Sequence, residues 1–549
     1  MTPSPTSRQL PTAMIAAIVA LCSVGLGLLV PIYSDEVGWR FQARMAFDGG
    51  VDRFVAENCG LNTLAQTPFF MQPLRYATAS FNSAFADPLT IRLVGMAYAL
   101  AWLALLWTLI GRLSRTLAEA NRIRTIGFSL ASLGLLPFML VISRPEQPIL
   151  LALTAAIFLG TAGLNKTRSE DGTAASAIKA LLVVLLGMIA LGYHLKGIIF
   201  MPVFLAAAVF SSHGAKGRPW RIAAPLVLIG ATALSIPYWI GRFRCPADPL
   251  LAEKLGRENI ASVIFNADPI APKIGKLLAG LNPFDYILLT VPKMRNMSNW
   301  LPPQVIGHGT ALGWTILVMI CWAACMVAAI GVLIVVLRRR PKNQGDVRRI
   351  VFALLIAATI LFWSVAQIHK NVYESALTVP LTIIVFIFAF TAIRESTHLL
   401  RLTRVLSLMT LGGSAISAVL LMAFYGPALS AIARSPGYIA GQKSSFSAFG
   451  YGAIRADIVA TGKMCGISDD RRTKGLLIDD LTYIAFMNTW RPLHRTGVLS
   501  DWNGSIGDPA VYLRTHGSSG AVIGCKYLPP ALQRRARRNG AYCCLDAPF

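Results

Sequence analysis

The stretch Pro31-Ile32-Tyr33-Ser34-Asp35-Glu36 follows the first apolar segment of the chain, Ala13 to Ile32, almost without a spacer. It therefore predicts two adjacent carboxylates at the mouth of a membrane helix. A pair of acids at that depth costs desolvation energy unless water or a cationic ligand compensates it. Two interpretations are open: an interfacial pair that merely ends the helix, or a carboxylate that takes a proton from a substrate hydroxyl.

The composition is that of an integral membrane protein. Of the 549 residues, 55% are hydrophobic and 14% are charged, whereas a soluble domain carries about 25% charged residues. The formal net charge of +25 could suggest a nucleic-acid partner, but most Lys and Arg lie in short loops and in the C-terminal tail. Because that placement is typical of membrane topology signals, we set nucleic acid aside.

Apolar windows of roughly 20 residues, the length that crosses a bilayer, recur along the chain. We expect about eleven such spans and hence a mainly α, polytopic membrane protein. The spans lie near residues 13–32, 89–110, 125–142, 147–164, 178–193, 197–212, 222–240, 312–337, 350–367, 375–393 and 405–425. Only Arg8 precedes the first span and no small-residue cleavage site follows it, so we expect this span to be retained.

The charges of the loops predict the orientation. Alternate gaps are short and basic, and the strongest holds Arg338, Arg339, Arg340, Lys342, Arg348 and Arg349. The short gaps of the opposite side carry one cation each, which are Arg144, Lys196 and Lys370. Because cytoplasmic loops collect Lys and Arg, we expect a cytoplasmic N-terminus, and an odd number of spans then places the C-terminus outside.

Three outer stretches are long enough to be more than loops: 33–88, 241–311 and 427–549. The first two are expected to add juxtamembrane helices on the outer face of a transmembrane domain that covers residues 1–426. In the third, residues 475–480 indicate a buried strand, 481–488 a helix and 520–525 a second strand. We therefore predict a small soluble α/β domain over residues 427–549.

The cysteines support this orientation. Cys465, Cys525, Cys543 and Cys544 lie in the outer tail, and an even number in an oxidising compartment predicts up to two disulfide bonds. The adjacent Cys543 and Cys544 are expected to pair with others rather than with each other. Cys59 and Cys245 both fall outside and are candidates for a further bond. Zinc is the competing interpretation for the four tail cysteines, but no ligand-spaced Cys-x-x-Cys accompanies them.

Four polar motifs share the outer face with the acidic pair: Gln66 to Tyr76, Ser143 to Glu146, Tyr193 to Gly197 and Gln367 to Glu374. A single Lys or Arg at such a place is most often a snorkelling cation or a helix cap. Turn chemistry, however, favours Gly, Asn or Pro and has no use for His-x-Lys or His-Lys. We interpret the set as an anion site, because Arg grips phosphate oxygens with its fork and Lys acts as a point charge.

A phosphate at the membrane boundary belongs to a lipid. The pattern thus predicts a cavity open to the outside, with carboxylates suited to an incoming hydroxyl and cations suited to a lipid phosphate. That arrangement is typical of sugar transfer from a lipid-phosphate carrier, in which a base deprotonates the acceptor and cations stabilise the departing phosphate.

On these residues the chain resembles the GT-C superfamily of membrane glycosyltransferases, in particular protein O-mannosyltransferases and lipid A aminoarabinose transferases. The similarity covers the layout of roughly residues 13–425. It rests on Asp35-Glu36, Arg144-Pro145-Glu146, His194-Leu195-Lys196-Gly197 and His369-Lys370 with Tyr373. The tail 427–549 lies outside the core on which the resemblance is based.

The resemblance implies that Asp35 is the catalytic base, with Glu36 beside it. It implies that the carrier phosphate is bound by Arg144, His194, Lys196 and Lys370, and weaker candidates for substrate binding are Glu146, Gln72, Arg75, His369 and Tyr373. It also implies a polyprenyl-phosphate sugar donor, a glycan, lipid or protein acceptor, and a bacterial inner-membrane protein with a periplasmic tail. A divalent metal assists some members, but no second acidic cluster is obvious in the outer loops, so we do not favour a metal here.

Three other functions stay open at this point. Intramembrane charges also suit a transporter or flippase of lipid-linked sugars, although the sequence shows no repeats of the kind that many transporters have. An O-antigen ligase or polymerase would perform related chemistry, with its key residues expected in a large late loop. A non-catalytic assembly factor would work through the tail domain. The sugar, the acceptor and the linkage are not readable from the residues.

Overall fold

The fold is described from a computed structural model of the chain. It covers residues 9–40, 68–162, 164, 173–194, 196–212, 217–241, 269–292, 301–302, 306–339, 343–392, 397–440, 445–467, 475–487, 491–492, 518–528 and 530–546. Cys59, Cys245 and residues 41–67 of the first outer stretch lie outside these residues.

Eight helices in the described part of the chain are long and apolar enough to cross a membrane. They are Pro11–Leu29, Pro88–Leu113, Thr173–Tyr193, Arg218–Tyr238, His308–Arg339, Gln344–Ala366, Val372–Ala392 and Thr397–Ala433. Two shorter apolar helices, Glu146–Gly160 and Gly197–Ser211, accompany them. The prediction of a mainly α, polytopic membrane protein is confirmed.

The third predicted span, 125–142, differs from the prediction because it is broken. Its two parts are the helices Leu117–Ala131 and Leu136–Leu140. Between them Gly134 has a φ of 61°, a left-handed conformation that favours glycine. The amides that the break releases find partners within the same unit, since Gly134 N donates to Ser417 Oγ at 2.8 Å and Leu135 N to Thr290 O at 2.7 Å. The break is therefore built into the packing.

The carbonyl of Thr290 follows a short apolar segment that begins after Pro283. This segment forms a single helical turn and a half, Phe284–Leu288, in which Tyr286 and Ile287 are buried. It follows the amphipathic helix Ile270–Gly280. A side chain at position 134 would meet the Thr290 carbonyl, because an added Cβ would lie 2.3 Å from that oxygen. The close contact between the short segment and the break therefore requires glycine at position 134.

The chain divides into two compact units. The first comprises Met1–Val30, Leu93–Ile236 and Glu258–Leu429, and the second comprises Pro31–Arg92, Pro237–Arg257 and Ser430–Phe549. In the first unit the helix Val372–Ala392 is the most deeply packed, with 94% of its apolar window buried. The proposed domains 1–426 and 427–549 stay a prediction; in the structure the described part of the first outer loop shares a unit with the tail.

The second unit holds all the strands of the described chain. β1 (Ile32–Tyr33) pairs antiparallel with β2 (Ser445–Phe446). Within the described part of the tail, five strands form one sheet in the order β4-β3-β5-β7-β6, which are Arg491–Pro492, Gly475–Ile478, Ser518–Gly524, Tyr542–Asp546 and Arg537–Asn539. β3 runs parallel to β4 and β5, and β7 runs antiparallel to β5 and β6.

The described tail also contains the helices Tyr451–Met464, Asp480–Phe486 and Pro530–Gln533, and Gln72–Ala84 is a helix of the first outer loop. The predicted strands and helix of the tail are therefore present. The helix after β3 starts at Asp479, whose side chain accepts from the amides of Leu481 and Thr482 at 2.8 and 2.9 Å. Such a capping box explains why the strand stops at the acids that follow it.

Candidate active site

The two acids after the first span, Asp35 and Glu36, have different surroundings. Glu36 is fully buried, and its Oε2 atom accepts from Arg92 Nη2 at 2.8 Å and from Tyr33 N at 3.0 Å. The same Arg92 nitrogen donates to the carbonyl of Pro31 at 2.6 Å. A buried ion pair persists only when its hydrogen bonds are satisfied, which is the case here. Glu36 therefore has structural partners within the second unit.

Asp35 lies in the same helical stretch, 34–40, but keeps part of its surface exposed. Arg40, one turn after Glu36, is buried and donates to the carbonyl of Glu36 at 3.0 Å and to that of Phe85 at 3.3 Å. Adjacent side chains of a helix point in different directions. Of the two acids, Asp35 is therefore the one that solvent reaches.

Four side chains from three connections meet in the first unit, and we name them the charge cluster: Arg144, Glu146, Lys196 and Glu374. Lys196 Nζ donates to Glu146 Oε1 at 2.6 Å and to Glu374 Oε1 at 3.2 Å. Arg144 Nε donates to the other oxygen of Glu146 at 3.2 Å. Two cations and two carboxylates balance formally, which explains how four charges tolerate burial together.

Aromatic rings and an amide enclose the charge cluster. The Arg144 guanidinium lies 3.7 Å from the centroid of the Tyr373 ring. Lys196 Nζ lies 5.4 Å from the centroids of both Tyr373 and Trp363. Gln367 Nε2 donates to Glu374 Oε1 at 2.8 Å. Within the described chain, the second oxygen of Glu374 is buried and has no hydrogen-bond partner.

Local sequence explains how the connections present these side chains. At the first connection, Arg144 N donates to Gln147 Oε1 at 3.1 Å, and the helix begins at Glu146 directly after Pro145. At the second, His194 Nδ1 accepts from Lys196 N at 3.0 Å. Gly197 then lets the turn close, because an added Cβ would lie 2.6 Å from the carbonyl of Ala190. His194 thus shapes the turn that carries Lys196.

Lys370 approaches the charge cluster from the third connection. Its Nζ donates to the carbonyl of Gly280 at 3.1 Å and lies 6.0 Å from the centroid of the Tyr286 ring. Burial lowers the pKa of the Lys370 amine, and the carboxylates of Asp285 and Glu374 act in the opposite direction. Burial raises the pKa of the Tyr286 hydroxyl well above its ordinary value, and Glu374 adds to the effect. Tyr286 therefore stays protonated beside the cluster.

The structure brings Arg144, Glu146, Lys196, Tyr373 and Lys370 together, with His194 in the same turn as Lys196. His369 is exposed beside them. Gln72, which is exposed, and Arg75 lie in the helix Gln72–Ala84 of the second unit, as Asp35 and Glu36 lie in that unit. The two groups of candidate residues are therefore described separately.

Sequence reasoning missed four participants: Glu374, Gln367, Trp363 and Tyr286. Gln367 and Glu374 are the first and last residues of the motif Gln367 to Glu374, which the sequence marks by its cations. A signal was present, since an acid beside His369-Lys370 in an apolar context needs a cationic partner. Nothing in the sequence, however, indicated which cation that would be.

The two expected disulfide bonds of the tail are present. They join Cys465 to Cys544 and Cys525 to Cys543, so the adjacent cysteines pair with separate partners. Among the described residues no group of three His, Cys, Asp or Glu side chains is arranged to hold a metal ion.

No protein-family model matches the chain, and no curated protein matches it either. Among solved structures it is similar to ArnT from Cupriavidus metallidurans bound to undecaprenyl phosphate, at 12% identity and a TM-score of 0.46 over 98% of each chain. It is also similar to the Archaeoglobus fulgidus oligosaccharyltransferase tethered to an acceptor peptide, at 13% identity and a TM-score of 0.43 over 94% of this chain and 69% of that one. Both neighbours are GT-C glycosyltransferases.

Proposed function

We propose that the protein transfers a sugar from a polyprenyl-phosphate donor to an acceptor hydroxyl at the periplasmic face of the bacterial inner membrane. Asp35 serves as the base for the acceptor. Arg144, Lys196 and Lys370, with His194 in the turn that carries Lys196, serve the donor phosphate. The product belongs to a cell-envelope glycan or glycolipid.

The observation that carries the proposal is the convergence of cations from three separate connections. Arg144 and Lys196 share Glu146 as a partner. Glu374 pairs with Lys196, and its charge acts to raise the pKa of the Lys370 amine. Helix ends need no such arrangement, because a snorkelling cation extends alone towards the headgroups. Buried cations with carboxylate partners and an aromatic wall are instead typical of a prepared site.

Arg144 is the cation best suited to the first contact with a phosphate. Its side chain keeps 13% of its surface exposed, against 10% for Lys196. Its Nε atom donates to Glu146, and the planar fork of a guanidinium can grip two phosphate oxygens at once. Glu146 and Glu374 then have a distinct task, which is to hold the two cations in place in the absence of donor.

Asp35 fits the role of base because it is partly exposed, whereas Glu36 is bound to Arg92. A base acts only if it is ionised and can reach the acceptor proton. Solvent reaches Asp35, and the buried pair beside it fixes the turn from which it projects.

The test uses the purified full-length chain in lipid nanodiscs. Undecaprenyl-phosphate-linked sugars serve as donors, since ArnT from Cupriavidus metallidurans is bound to undecaprenyl phosphate in its crystal structure. Membranes from a strain without the protein serve as acceptor. We expect release of undecaprenyl phosphate together with labelled product. Asp35→Asn is expected to lower that rate by about 10²–10⁴, the contribution of a general base, and Asp87→Asn, at an exposed helix-capping acid, should not.

Arg144→Ala is the matching change on the donor side. Loss of a charged hydrogen-bond partner costs about 1.5–3 kcal/mol, which corresponds to roughly a ten- to hundredfold weaker affinity for the donor. Movement of an intact lipid-linked sugar without cleavage would identify a transporter instead. Full activity in both Asp35→Asn and Glu36→Gln would exclude the proposed mechanism. Loss only in Glu36→Gln, in protein whose unfolding temperature is unchanged, would move the base by one residue.

A further inference from the structure

Strand β2 of the tail lies next to the turn that carries Asp35. Ile32 pairs with Phe446 and Tyr33 with Ser445, only two residues before Asp35. β2 is in turn held by the segment before it, since Ile439 N donates to Ser445 O at 3.3 Å and Ser447 N to Gly437 O at 2.9 Å. A tail segment more than four hundred residues away in sequence thus supplies the neighbouring strand of the first outer loop.

The pairing is anchored in the apolar core of the tail. Ile32 is 0% exposed and Phe446 2%, and both belong to one cluster with Ile458, Leu476 and Val522. The bridge between Tyr438 and Phe446 continues the contact, and the Tyr438 hydroxyl donates to the carboxylate of Asp479. Asp479 caps the helix after β3 and also accepts from Gly524 N at 2.6 Å. β2 therefore connects the turn to the centre of the tail domain.

Two buried arginines bond the turn as well. Arg92 reaches the carbonyl of Pro31 and the carboxylate of Glu36, and Arg40 reaches the carbonyl of Glu36. The backbone around Asp35 is consequently bonded both by β2 and by two buried arginines. A loop that only joins two membrane helices does not require such bonding.

We propose that β2, through Phe446, is a positioning element for Asp35: it fixes Ile32 and Tyr33 and thereby the direction in which the Asp35 carboxylate projects. This inference rests on the proposed function, because Asp35 needs a direction only if it acts on an acceptor. It assigns the tail domain a task in the reaction that does not involve binding of acceptor or glycan.

Two variants separate positioning from simple stability of the tail. Phe446→Ala and Ile458→Ala each remove a large side chain from the same apolar cluster, but Ile458 lies on the helix Tyr451–Met464 and not on β2. Hydrogen exchange is measured by mass spectrometry on peptides over 31–40 of the full-length protein in nanodiscs. We expect faster exchange in Phe446→Ala than in Ile458→Ala, and recovery in Phe446→Leu. Equal exchange in the two alanine variants would overturn the inference.

Turnover provides the functional readout. A misplacement of about 1 Å can cost a hundredfold in rate, so we expect kcat of Phe446→Ala to fall by about ten- to hundredfold with the donor KM unchanged. In Ile458→Ala, kcat should fall only as far as the loss of stability lowers the folded fraction. An unchanged kcat in a Phe446→Ala protein whose turn exchanges faster would also overturn the inference. Should Phe446→Ala fail to fold, Phe446→Val leaves a smaller cavity and the same readouts apply.

A double-variant cycle shows whether Phe446 acts through Asp35. In the Asp35→Asn background the change Phe446→Ala should lower the residual rate no further, because the base that it positions is already absent. Losses that add in full would overturn the inference while leaving the base assignment intact. If Asp35→Asn itself keeps normal transfer, the proposed function fails. The exchange data would still show whether Phe446→Ala loosens the turn, so the two failures can be told apart.

Discussion

Lys196 shows at the scale of one residue how the structure changes an expectation. Its sequence position predicts contact with a donor phosphate, so its replacement is expected to weaken donor binding more than it alters folding. In the structure its amine already bridges Glu146 and Glu374 at 2.6 and 3.2 Å. The same side chain therefore has a structural partner pair in the absence of any donor.

Lys196→Met should destabilise the protein strongly. The change leaves two buried carboxylates with one cation fewer, and breaking a buried pair in this way costs about 3–5 kcal/mol. Thermal unfolding in detergent or nanodiscs measures the effect. Lys276→Met is the control, because Lys276 is exposed on the helix Ile270–Gly280 of the same unit. Equal midpoints for the two variants would show that the bridge adds nothing to stability.

At the scale of elements, the helix Pro88–Leu113 depends on one glycine for its approach to the connection that carries Arg144. A Cβ at Gly95 would lie 1.9 Å from the carbonyl oxygen of Val141 and 3.3 Å from Ser143 N. A backbone carbonyl cannot rotate away as a flexible side chain can. The position of this connection is therefore coupled to the packing of the second span.

Gly95→Ala should move the helix away from the connection. We expect a loss of about 1–3 kcal/mol in stability, the usual cost of overpacking, together with weaker donor binding because Arg144 shifts. Gly331→Ala is the matched control, since it lies in the span His308–Arg339 and no atom of the described residues lies within 4 Å of an added Cβ. The control should unfold at or slightly above the wild-type temperature. A Gly95→Ala protein that behaves like the control would contradict this account.

At the scale of the whole molecule, two disulfide bonds tie the tail together over very different lengths of chain. The Cys465–Cys544 bond spans 79 residues and the Cys525–Cys543 bond spans 18. In the chain-entropy model a longer loop gives greater stabilisation, roughly 4.5 kcal/mol for the first size and 3 for the second. Both bonds end on neighbouring residues of β7, so they join this strand to two separate parts of the tail.

Removing the long bond with Cys465→Ser and Cys544→Ser should thus lower the unfolding temperature of the tail more than Cys525→Ser with Cys543→Ser. Calorimetry on protein purified without reductant compares them, and mass spectrometry of the unreduced protein verifies the remaining bond. Equal losses, or a larger loss for the short bond, would contradict the loop-length argument.

The orientation of the whole chain is a separate prediction. The distribution of Lys and Arg predicts a cytoplasmic N-terminus and an outer C-terminus. A reporter fused after Phe549 should therefore be active in the periplasm, and one fused in the basic gap near Arg340 should be active in the cytoplasm. A cytoplasmic signal from the C-terminal fusion would contradict the orientation and place the residues assigned to the outer face on the cytoplasmic side.

The sequence by itself determined the features that depend on local pattern. Apolar windows located the eight described helices that are long enough to cross a membrane, residue patterns identified two strands and one helix of the tail, and the even number of outer cysteines predicted its bonds. These features are set by neighbours close in the chain, so a single sequence shows them. The same local reasoning found the connections around Arg144, Lys196 and Lys370.

Only the tertiary structure decided the partners. Glu36 meets Arg92 across 56 residues, Lys196 meets Glu146 across 50, and Lys196 meets Glu374 across 178. The break at Gly134 likewise depends on Ser417 and on Thr290. A buried charge needs an opposite charge, but its sequence does not say which of many distant candidates packing will bring to it. For that reason the adjacent acids Asp35 and Glu36, alike in sequence, differ in the folded protein.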